Sequence, residues 1–176
     1  VPGLATEEDK RSVQALRLLS ALLDGGYSAR ISEQLERGEE LVSAASTSYD
    51  AYTRGDSLFT LTATPNQQKK KTIAQAEAGL WRLLDELKAK PPTAEELERI
   101  RAQVIAGVVY QRDSITSQAT AIGSLETVGL SWKLMDTELA DLQSVTPEDI
   151  QKAARTYFTR ERLSVAHVLP EETAHE

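Results

Sequence analysis

The sequence predicts an α+β fold in which helices pack on an antiparallel β-sheet. Apolar residues recur at helical spacing over most of the chain, whereas one central stretch changes to a two-residue alternation on either side of a turn. The strands are grouped and do not alternate with the helices, as a doubly wound parallel sheet would require. With 176 residues and no Ser/Gly-rich linker, residues 1–176 are predicted to form a single domain.

Two helices are predicted at the amino-terminal end. A capping-box pattern that begins at Thr6 precedes the first helix, and the pair Gly25-Gly26 ends it. The apolar stripe of this helix consists of Val13, Leu16, Leu19, Leu22 and Leu23. The second, short helix spans Ala29 to Arg37, with Ser28 placed to cap it.

A β-hairpin is predicted next. The segment from Leu41 to Tyr52 is rich in small, β-branched and aromatic residues, and the turn residues 54–57 follow it. Beyond the turn, apolar and threonine side chains alternate over residues 59–64. We therefore expect two antiparallel strands, which end at Pro65.

Four helices and a last strand are predicted in the remaining sequence. The first of these helices ends at Pro91-Pro92, and a long one begins at Thr93 and continues to Gly123 or Gly129. The apolar stripe of this long helix includes Leu97, Ile100, Val104, Val108, Ile115, Ala119 and Ile122. The other two helices are lined by Trp132, Met135, Leu139 and Leu142, and by Ile150, Ala153, Ala154, Tyr157 and Phe158. The strand spans Leu163 to Leu169.

Composition excludes several classes of function. There are 27 Asp and Glu against 20 Lys and Arg, which gives a net charge of -7. This acidic balance does not predict the clustered basic residues that bind nucleic acid or anionic lipid. The absence of cysteine excludes thiolate metal sites and a cysteine nucleophile. No apolar stretch approaches the length of a membrane span. Because the sequence begins at Val1 and its single methionine is Met135, we expect a mature product or an excised domain.

Metal and hydrolase motifs are also missing from the sequence. Neither H-E-x-x-H nor H-x-x-E-H occurs, and the two histidines are His167, in the last predicted strand, and His175, in an acidic tail. We interpret His167 as a structural histidine. Acidic groups such as Glu95-Glu96 and Glu148-Asp149 fall in the first turns of predicted helices, where carboxylates interact favourably with the helix dipole. Carboxylate catalysis therefore has little support.

The glycine turn between the first two helices is the best candidate for a functional segment. Gly25 and Gly26 permit a tight passage, and Ser28 can cap the second helix. Arg30 falls in the first turn of that helix, where a positive charge is poorly matched to the dipole. These four residues are our substrate-contact candidates, although an ordinary helix-turn-helix with an exposed arginine explains them equally well.

The order of these motifs resembles the second, non-catalytic repeat of insulinase/pitrilysin-type zinc peptidases, in their bacterial processing-peptidase-like branch. The resemblance begins with Leu-Leu-Asp-Gly-Gly-Tyr-Ser-Ala-Arg-Ile at residues 22–31 and Leu-Glu-Arg at 35–37. It continues through the hairpin, the helix start at 93–99 and Gln-Arg-Asp-Ser at 111–114. It ends with Val-Thr-Pro-Glu-Asp-Ile at 145–150 and Val-Ala-His-Val-Leu-Pro at 165–170, and so it covers nearly the whole chain.

The resemblance implies one half of a clamshell whose two halves enclose a chamber for unfolded peptides. The zinc belongs to the other half, so that no cofactor, catalytic residue or metal ligand is expected in this chain. In some members the non-catalytic half also supplies an Arg and a Tyr that hold substrate. Glu36 and Ser43 occupy those two positions here, and the adjacent Arg37 is rotated by about 100° on a helix.

Two functions are consistent with this resemblance. In the first, the chain is the inactive half of a zinc-dependent peptidase: it packs against the homologous zinc-binding half and walls the peptide chamber. In the second, it is a structural or assembly subunit of the same fold with no peptidase role. A peptide-binding module that takes extended chains along a sheet edge is a third, weaker option. A periplasmic or secreted bacterial location is expected from the resemblance.

Overall fold

The computed structural model describes residues 1–7 and 9–169. Glu8 and the acidic tail with Pro170 and His175 lie outside this part of the chain. The described residues form two antiparallel strands, one π-helical segment and six α-helices, with two short 3₁₀ turns. The predicted α+β class is confirmed.

Helix α1 (Lys10–Asp24) is the centre of the core. It contacts the first strand, β1 (Val42–Tyr49), and three later helices, α3 (Ala94–Gln111), α5 (Leu134–Ser144) and α6 (Pro147–Tyr157). Contact on several sides explains why nearly all of its apolar residues are fully buried. They are Val13, Ala15, Leu16, Leu18, Leu19, Leu22 and Leu23.

The first helix begins in a different way from the predicted capping box. The N-cap residue is Asp9, whose carboxylate accepts a hydrogen bond from the Arg11 amide. The Thr6 hydroxyl instead donates to Asp56, with an oxygen–oxygen distance of 2.8 Å. The prediction of Thr6 as the N-cap was wrong, because the Thr6 hydroxyl joins the amino-terminal segment to the hairpin turn.

The second helix is confirmed in position but is π-helical over Ile31–Gly38. Its N-cap position is Arg30, and no side chain caps it, so that the predicted cap by Ser28 is wrong. Ile31 and Leu35 are fully buried and bring this segment against the core. The glycine turn thus connects α1 to a short segment that lies along the sheet.

The hairpin consists of β1 (Val42–Tyr49) and β2 (Phe59–Pro65). Tyr49 pairs with Phe59 and Ala45 with Ala63, and the register shifts by one residue near Val42. One face carries exposed small and hydroxyl side chains, whereas the other faces the helices. The Phe59 ring meets that of Phe158 edge to face at 4.8 Å, which joins the sheet to the end of α6.

Five α-helices follow the hairpin, where the sequence predicted four. Their bounds are α2 (Ile73–Ala89), α3 (Ala94–Gln111), α4 (Ile115–Thr127), α5 (Leu134–Ser144) and α6 (Pro147–Tyr157). The run Thr146-Pro147-Glu148-Asp149 predicts a helix start with proline at the first helical position, and this start of α6 is confirmed; Thr146 and Asp149 also form a capping box there. Trp132 lies just before α5 and is 45% exposed.

The long helix that was expected to continue from Thr93 to Gly123 or Gly129 is divided in two. The chain turns at Arg112 and Asp113, and Ser114 then caps α4 by accepting a hydrogen bond from the Ser117 amide. Beyond the break, Ile115 is 86% exposed. The apolar stripe was therefore wrong in its second half, because a serine cap restarts the helix and changes the face that points to the core.

The last predicted strand, Leu163–Leu169, is also wrong for the described residues. This segment is exposed and forms no ladder. The Arg160 guanidinium lies 3.6 Å from the centroid of the Trp81 ring, and His167 Nε2 lies 3.2 Å from Glu77 Oε2. Both contacts hold the segment against α2, away from the backbone groups of the sheet. No helix in the described part of the chain is long and apolar enough to cross a membrane.

Candidate functional site

A groove lies where the end of α1 approaches β1. Its volume is about 280 Å³. Its lining includes Ser20, Asp24, Gly25, Thr47 and Tyr49. The glycine turn therefore borders this groove, and a concave surface of this kind is a candidate binding site.

Backbone geometry explains why two glycines form this turn. A Cβ atom on Gly25 would lie 2.2 Å from the carbonyl oxygen of Ala21, so no larger residue fits there. Gly26 has a φ of 106°, a conformation that side chains disfavour. The close approach at Gly25 keeps the chain against the end of α1, next to the groove.

Arg30 makes a buried ion pair with Glu96 at the start of α3. The Arg30 Nε donates to Oε1 at 2.8 Å, and a second guanidinium nitrogen donates to Oε2 at 2.9 Å. The two side chains are only 15% and 19% exposed. Two parallel bonds of this kind are both strong and directional. Arg30 therefore joins the glycine turn to α3 and does not present a free cation.

This pair also changes how α3 begins. The Thr93 hydroxyl accepts from the Glu96 amide, as expected for an N-cap. The Glu96 carboxylate does not return to the Thr93 amide, because Arg30 holds it. The hydrogen bond from Arg30 lowers the pKa of Glu96, against the opposing effect of burial. The run Thr93-Ala94-Glu95-Glu96 predicts a capping box from its sequence, and only the half in which Thr93 accepts from the Glu96 amide is formed.

The four substrate-contact candidates are thus divided between two surroundings. Gly25 borders the groove, whereas Arg30 turns toward α3. The Ser28 carbonyl accepts a 3.3 Å hydrogen bond from Arg99, which is also on α3. Gly26 is exposed at the tip of the turn. Their role in substrate contact stays a prediction.

The resemblance places an Arg and a Tyr at the positions of Glu36 and Ser43. Both of these side chains form hydrogen bonds with the hairpin. The Glu36 carboxylate accepts from the Ser32 hydroxyl at 2.8 Å and from the Ala45 amide at 3.2 Å. The Ser43 hydroxyl donates to the Thr64 carbonyl at 3.4 Å. Neither side chain offers a cationic or aromatic group to a peptide.

A polar network that sequence reasoning missed joins α1 to α5. The Tyr52 hydroxyl donates to Glu138 at 2.6 Å, and Arg17 pairs with the same carboxylate at 2.8 Å. Burial raises the pKa of Tyr52 well above the usual tyrosine value, although Arg17 opposes the shift. An arginine within the buried stripe of α1 was the available signal, because an arginine inside a core requires a partner.

The residues present do not form a zinc site. The described residues contain no group of three or more His, Asp or Glu side chains placed to hold a metal. His167 has one neighbouring carboxylate, that of Glu77, whereas a catalytic zinc needs three protein ligands. The donor set therefore supports no metal chemistry in this part of the chain.

Comparison with protein families identifies the class of this domain. The model of the peptidase M16 inactive domain matches residues 1–104, which is more than half of the chain. The chain therefore belongs to the peptidase M16 inactive domain family. The predicted kinship with the non-catalytic repeat of such peptidases is confirmed. No curated protein matches the sequence.

Solved structures share the fold at low sequence identity. One is titled the inactive peptidase domain of a "putative zinc protease" from Bordetella parapertussis, with a TM-score of 0.82 and 19% identity. It matches 100% of this chain and 89% of its own. A similarly titled zinc protease structure from Bordetella pertussis Tohama I has a TM-score of 0.73 and 20% identity, with coverage of 86% and 82%.

A longer relative has the same fold within a larger chain. A protease from Helicobacter pylori matches with a TM-score of 0.79 and 22% identity. The match covers 92% of this chain but 37% of that one. The chain thus spans little more than a third of that relative's length.

Proposed function

We propose that this domain is the non-catalytic half of a zinc-dependent peptidase, which packs against the zinc-binding half and walls the peptide chamber. Membership of the inactive M16 family supports the non-catalytic role. Zinc and the hydrolytic groups then belong to the partner half, and this domain contributes binding surface and enclosure.

The observation that best supports packing against another domain is the exposed apolar surface around the junction of α3 and α4. Its members are Val109, Tyr110, Ile115 and Ile122, which are 38–86% exposed. Leu125 is the only fully buried residue among the described residues of α4. A helix so weakly packed within its own domain has an apolar face available for a partner. We therefore assign this surface to the contact with the zinc-binding half.

The proposed contact is tested by two substitutions at aliphatic side chains that are similarly exposed. Ile115→Asp places a charge in the proposed contact, and Leu58→Asp places one in the hairpin turn, where Leu58 is 78% exposed. We expect Ile115→Asp to weaken assembly with the zinc-binding half about tenfold or more, because an unpaired charge is costly in an apolar contact. Size-exclusion chromatography measures assembly with the zinc-binding half, and hydrolysis of a fluorogenic peptide measures the activity of the assembled protein. Equal behaviour of the two variants would remove α4 from the interface.

The isolated domain gives an independent test of the non-catalytic role. We expect metal analysis to find no stoichiometric zinc and the peptide assay to show no turnover. Stoichiometric zinc together with turnover would refute the proposal.

The alternative is a scaffold subunit of the same fold. The engagement of Glu36 and Ser43 within the hairpin favours it, because neither residue is free to hold substrate. A scaffold would assemble with its partner and leave peptide hydrolysis unchanged, whereas a chamber wall would raise it. Photocrosslinking of a bound peptide to the groove would support the chamber. A periplasmic or secreted location is also proposed, and cell fractionation of the native host tests it.

A further inference from the structure

The two edges of the hairpin are treated differently by the surrounding residues. In an antiparallel pair, alternate residues direct their amide and carbonyl groups away from the partner strand. On β1 these outward residues include Ala45 and Thr47. On β2 they include Leu61 and Ala63, which stand opposite them. An outward row of this kind is a template for a further strand.

On β1 two carboxylates occupy successive outward donors. The Ala45 amide donates to Glu36 Oε1 at 3.2 Å, and the Thr47 amide donates to Asp24 Oδ2 at 3.0 Å. The two acids come from different elements, since Asp24 is the last residue of α1 and Glu36 belongs to the π-helical segment. Independent elements therefore converge on one feature, the outer edge of β1.

Neighbouring hydroxyl groups hold these acceptors near the strand. The Ser32 hydroxyl donates to the second oxygen of Glu36 at 2.8 Å. The Thr47 hydroxyl donates to the Ser20 carbonyl at 3.1 Å and ties β1 to the end of α1. Hydrogen bonds from an amide to a carboxylate are stronger than bonds to a neutral carbonyl. An incoming strand would have to replace charged acceptors with neutral ones.

The outer edge of β2 has no such carboxylates. Within residues 1–7 and 9–169, no side chain accepts from the outward amides of Leu61 and Ala63. Just before β2, Ser57 exchanges two backbone hydrogen bonds with Val1, at 2.8 and 2.9 Å. A backbone hydrogen bond also lies just beyond β1, where the Leu4 amide donates to the Ala51 carbonyl at 2.8 Å. Among the described residues, the two edges therefore differ in the carboxylates that accept from outward amides, which are found on β1.

We propose that Asp24 and Glu36 close the outer edge of β1 against pairing with an extended polypeptide. The groove beside the edge shares Asp24 and Thr47 in its lining, so a peptide that enters the groove meets a capped strand. Such a peptide is held through its side chains and not as an added strand. The closure rests on this chain's own contacts and stands whether or not the domain walls a chamber.

The test uses a short peptide of alternating threonine and valine as the strand probe. In the unaltered protein, we expect this peptide to leave hydrogen exchange at the Ala45 and Thr47 amides unchanged. The double variant Asp24→Ala with Glu36→Ala should bind the peptide about tenfold more tightly and gain protection at both amides. Asp24→Asn with Glu36→Gln is the matched control, because an amide oxygen can still accept. Its affinity for the peptide should lie between those of the unaltered protein and the alanine variant, because a neutral acceptor binds the strand amide less strongly than a carboxylate does.

Two results would overturn the proposal. One is peptide-induced protection of Ala45 and Thr47 in the unaltered protein, which requires no variant to fold. The other is an alanine double variant that stays folded, by exchange of the α1 core amides, yet gains no peptide binding. If the double variant does not fold, Glu36→Ala alone is measured in the same way, with the same two outcomes.

Discussion

Arg30 and Glu96, which are 66 positions apart in sequence, form two parallel hydrogen bonds that are largely shielded from solvent. The pair connects the turn after α1 to the first turn of α3. It also compensates the unfavourable interaction of Arg30 with the helix dipole, because a carboxylate balances the positive charge near the start of the π-helical segment. The residue with the clearest functional signal in the sequence thus has a structural role as well.

Loss of this pair should destabilise the domain. We expect Arg30→Ala to lower the free energy of unfolding by about 1–3 kcal/mol, because Glu96 would be left half-buried without its strongest donor. Arg30→Lys should recover only part of the loss, since an ammonium group cannot form the two-pronged contact. Urea unfolding of Arg30→Ala, of Glu96→Gln and of the protein with both substitutions closes a double-mutant cycle with the unaltered protein. A coupling near zero would show that the pair contributes nothing.

The same pair predicts a dependence on acid. The pKa of Glu96 is lowered in the folded state from the ordinary glutamate value of 4.5, so its contribution to stability is present above pH 4.5 and is lost as the pH falls through the folded-state pKa. The difference in stability between the unaltered protein and Glu96→Gln should therefore shrink on acidification below that value. Unfolding curves at several pH values measure it, and a difference that grows would contradict the assignment.

The buried hydroxyl of Tyr52 should be worth more than an exposed one. Tyr52→Phe leaves Glu138 with one fewer donor, and we expect a loss of about 1–3 kcal/mol. Tyr110 is 73% exposed, and Tyr110→Phe should change stability by less than about 0.5 kcal/mol. Denaturant unfolding of the two variants makes the comparison. Similar effects would indicate that the Tyr52 hydroxyl is not held by Glu138.

Alkaline pH should weaken the fold through Tyr49 and Tyr52. Burial raises the pKa of both groups above the ordinary tyrosine value of 10.0, so the folded state favours their neutral forms. Stability should be unaffected by these groups below that value and should fall as the pH rises beyond it. Phenolate absorbance during alkaline titration, combined with circular dichroism, tests this. Ionisation of both groups at the usual tyrosine pKa in the folded protein would refute it.

Two helical glycines should respond in opposite ways to alanine. A Cβ on Gly107 meets no atom within 4 Å, so Gly107→Ala should stabilise α3 by about 0.5–1 kcal/mol. A Cβ on Gly79 would lie 2.9 Å from Leu41 Cδ1 and 3.1 Å from Leu35 Cδ2. In Gly79→Ala the overpacking should outweigh the gain in helix propensity, so the substitution should destabilise the domain by about 1 kcal/mol. Thermal unfolding of the two variants tests this. Equal shifts in their unfolding temperatures would show that α2 can move away from Leu35 and Leu41.

Elements with strong local signals could be predicted from sequence alone. The alternation over residues 59–64 and the glycine pair at 25–26 located the hairpin and the end of α1. The run Thr146-Pro147-Glu148-Asp149, with proline at the first helical position, located the start of α6. Each of these signals is complete within a few residues, because caps, turns and strand alternation depend on local backbone geometry. The inactive peptidase half was identified separately, from the resemblance of its sequence motifs to a known family.

Long-range competition decided the rest. Thr6 lost its capping role to a contact with Asp56, and the Glu96 carboxylate was taken by Arg30. The strand expected at Leu163–Leu169 lies against α2, since Arg160 and His167 find partners there. Local patterns contain no information about partners fifty or more positions away.

The sequence by itself thus determined the class of fold, the hairpin and the absence of zinc-binding motifs, because composition and local periodicity suffice for these. Only the tertiary structure decided what the charged residues do. Glu36 caps β1, and Arg30 joins the glycine turn to α3. A charged side chain near a core takes whichever partner satisfies its hydrogen bonds after burial, and that partner exists only once distant elements have packed together.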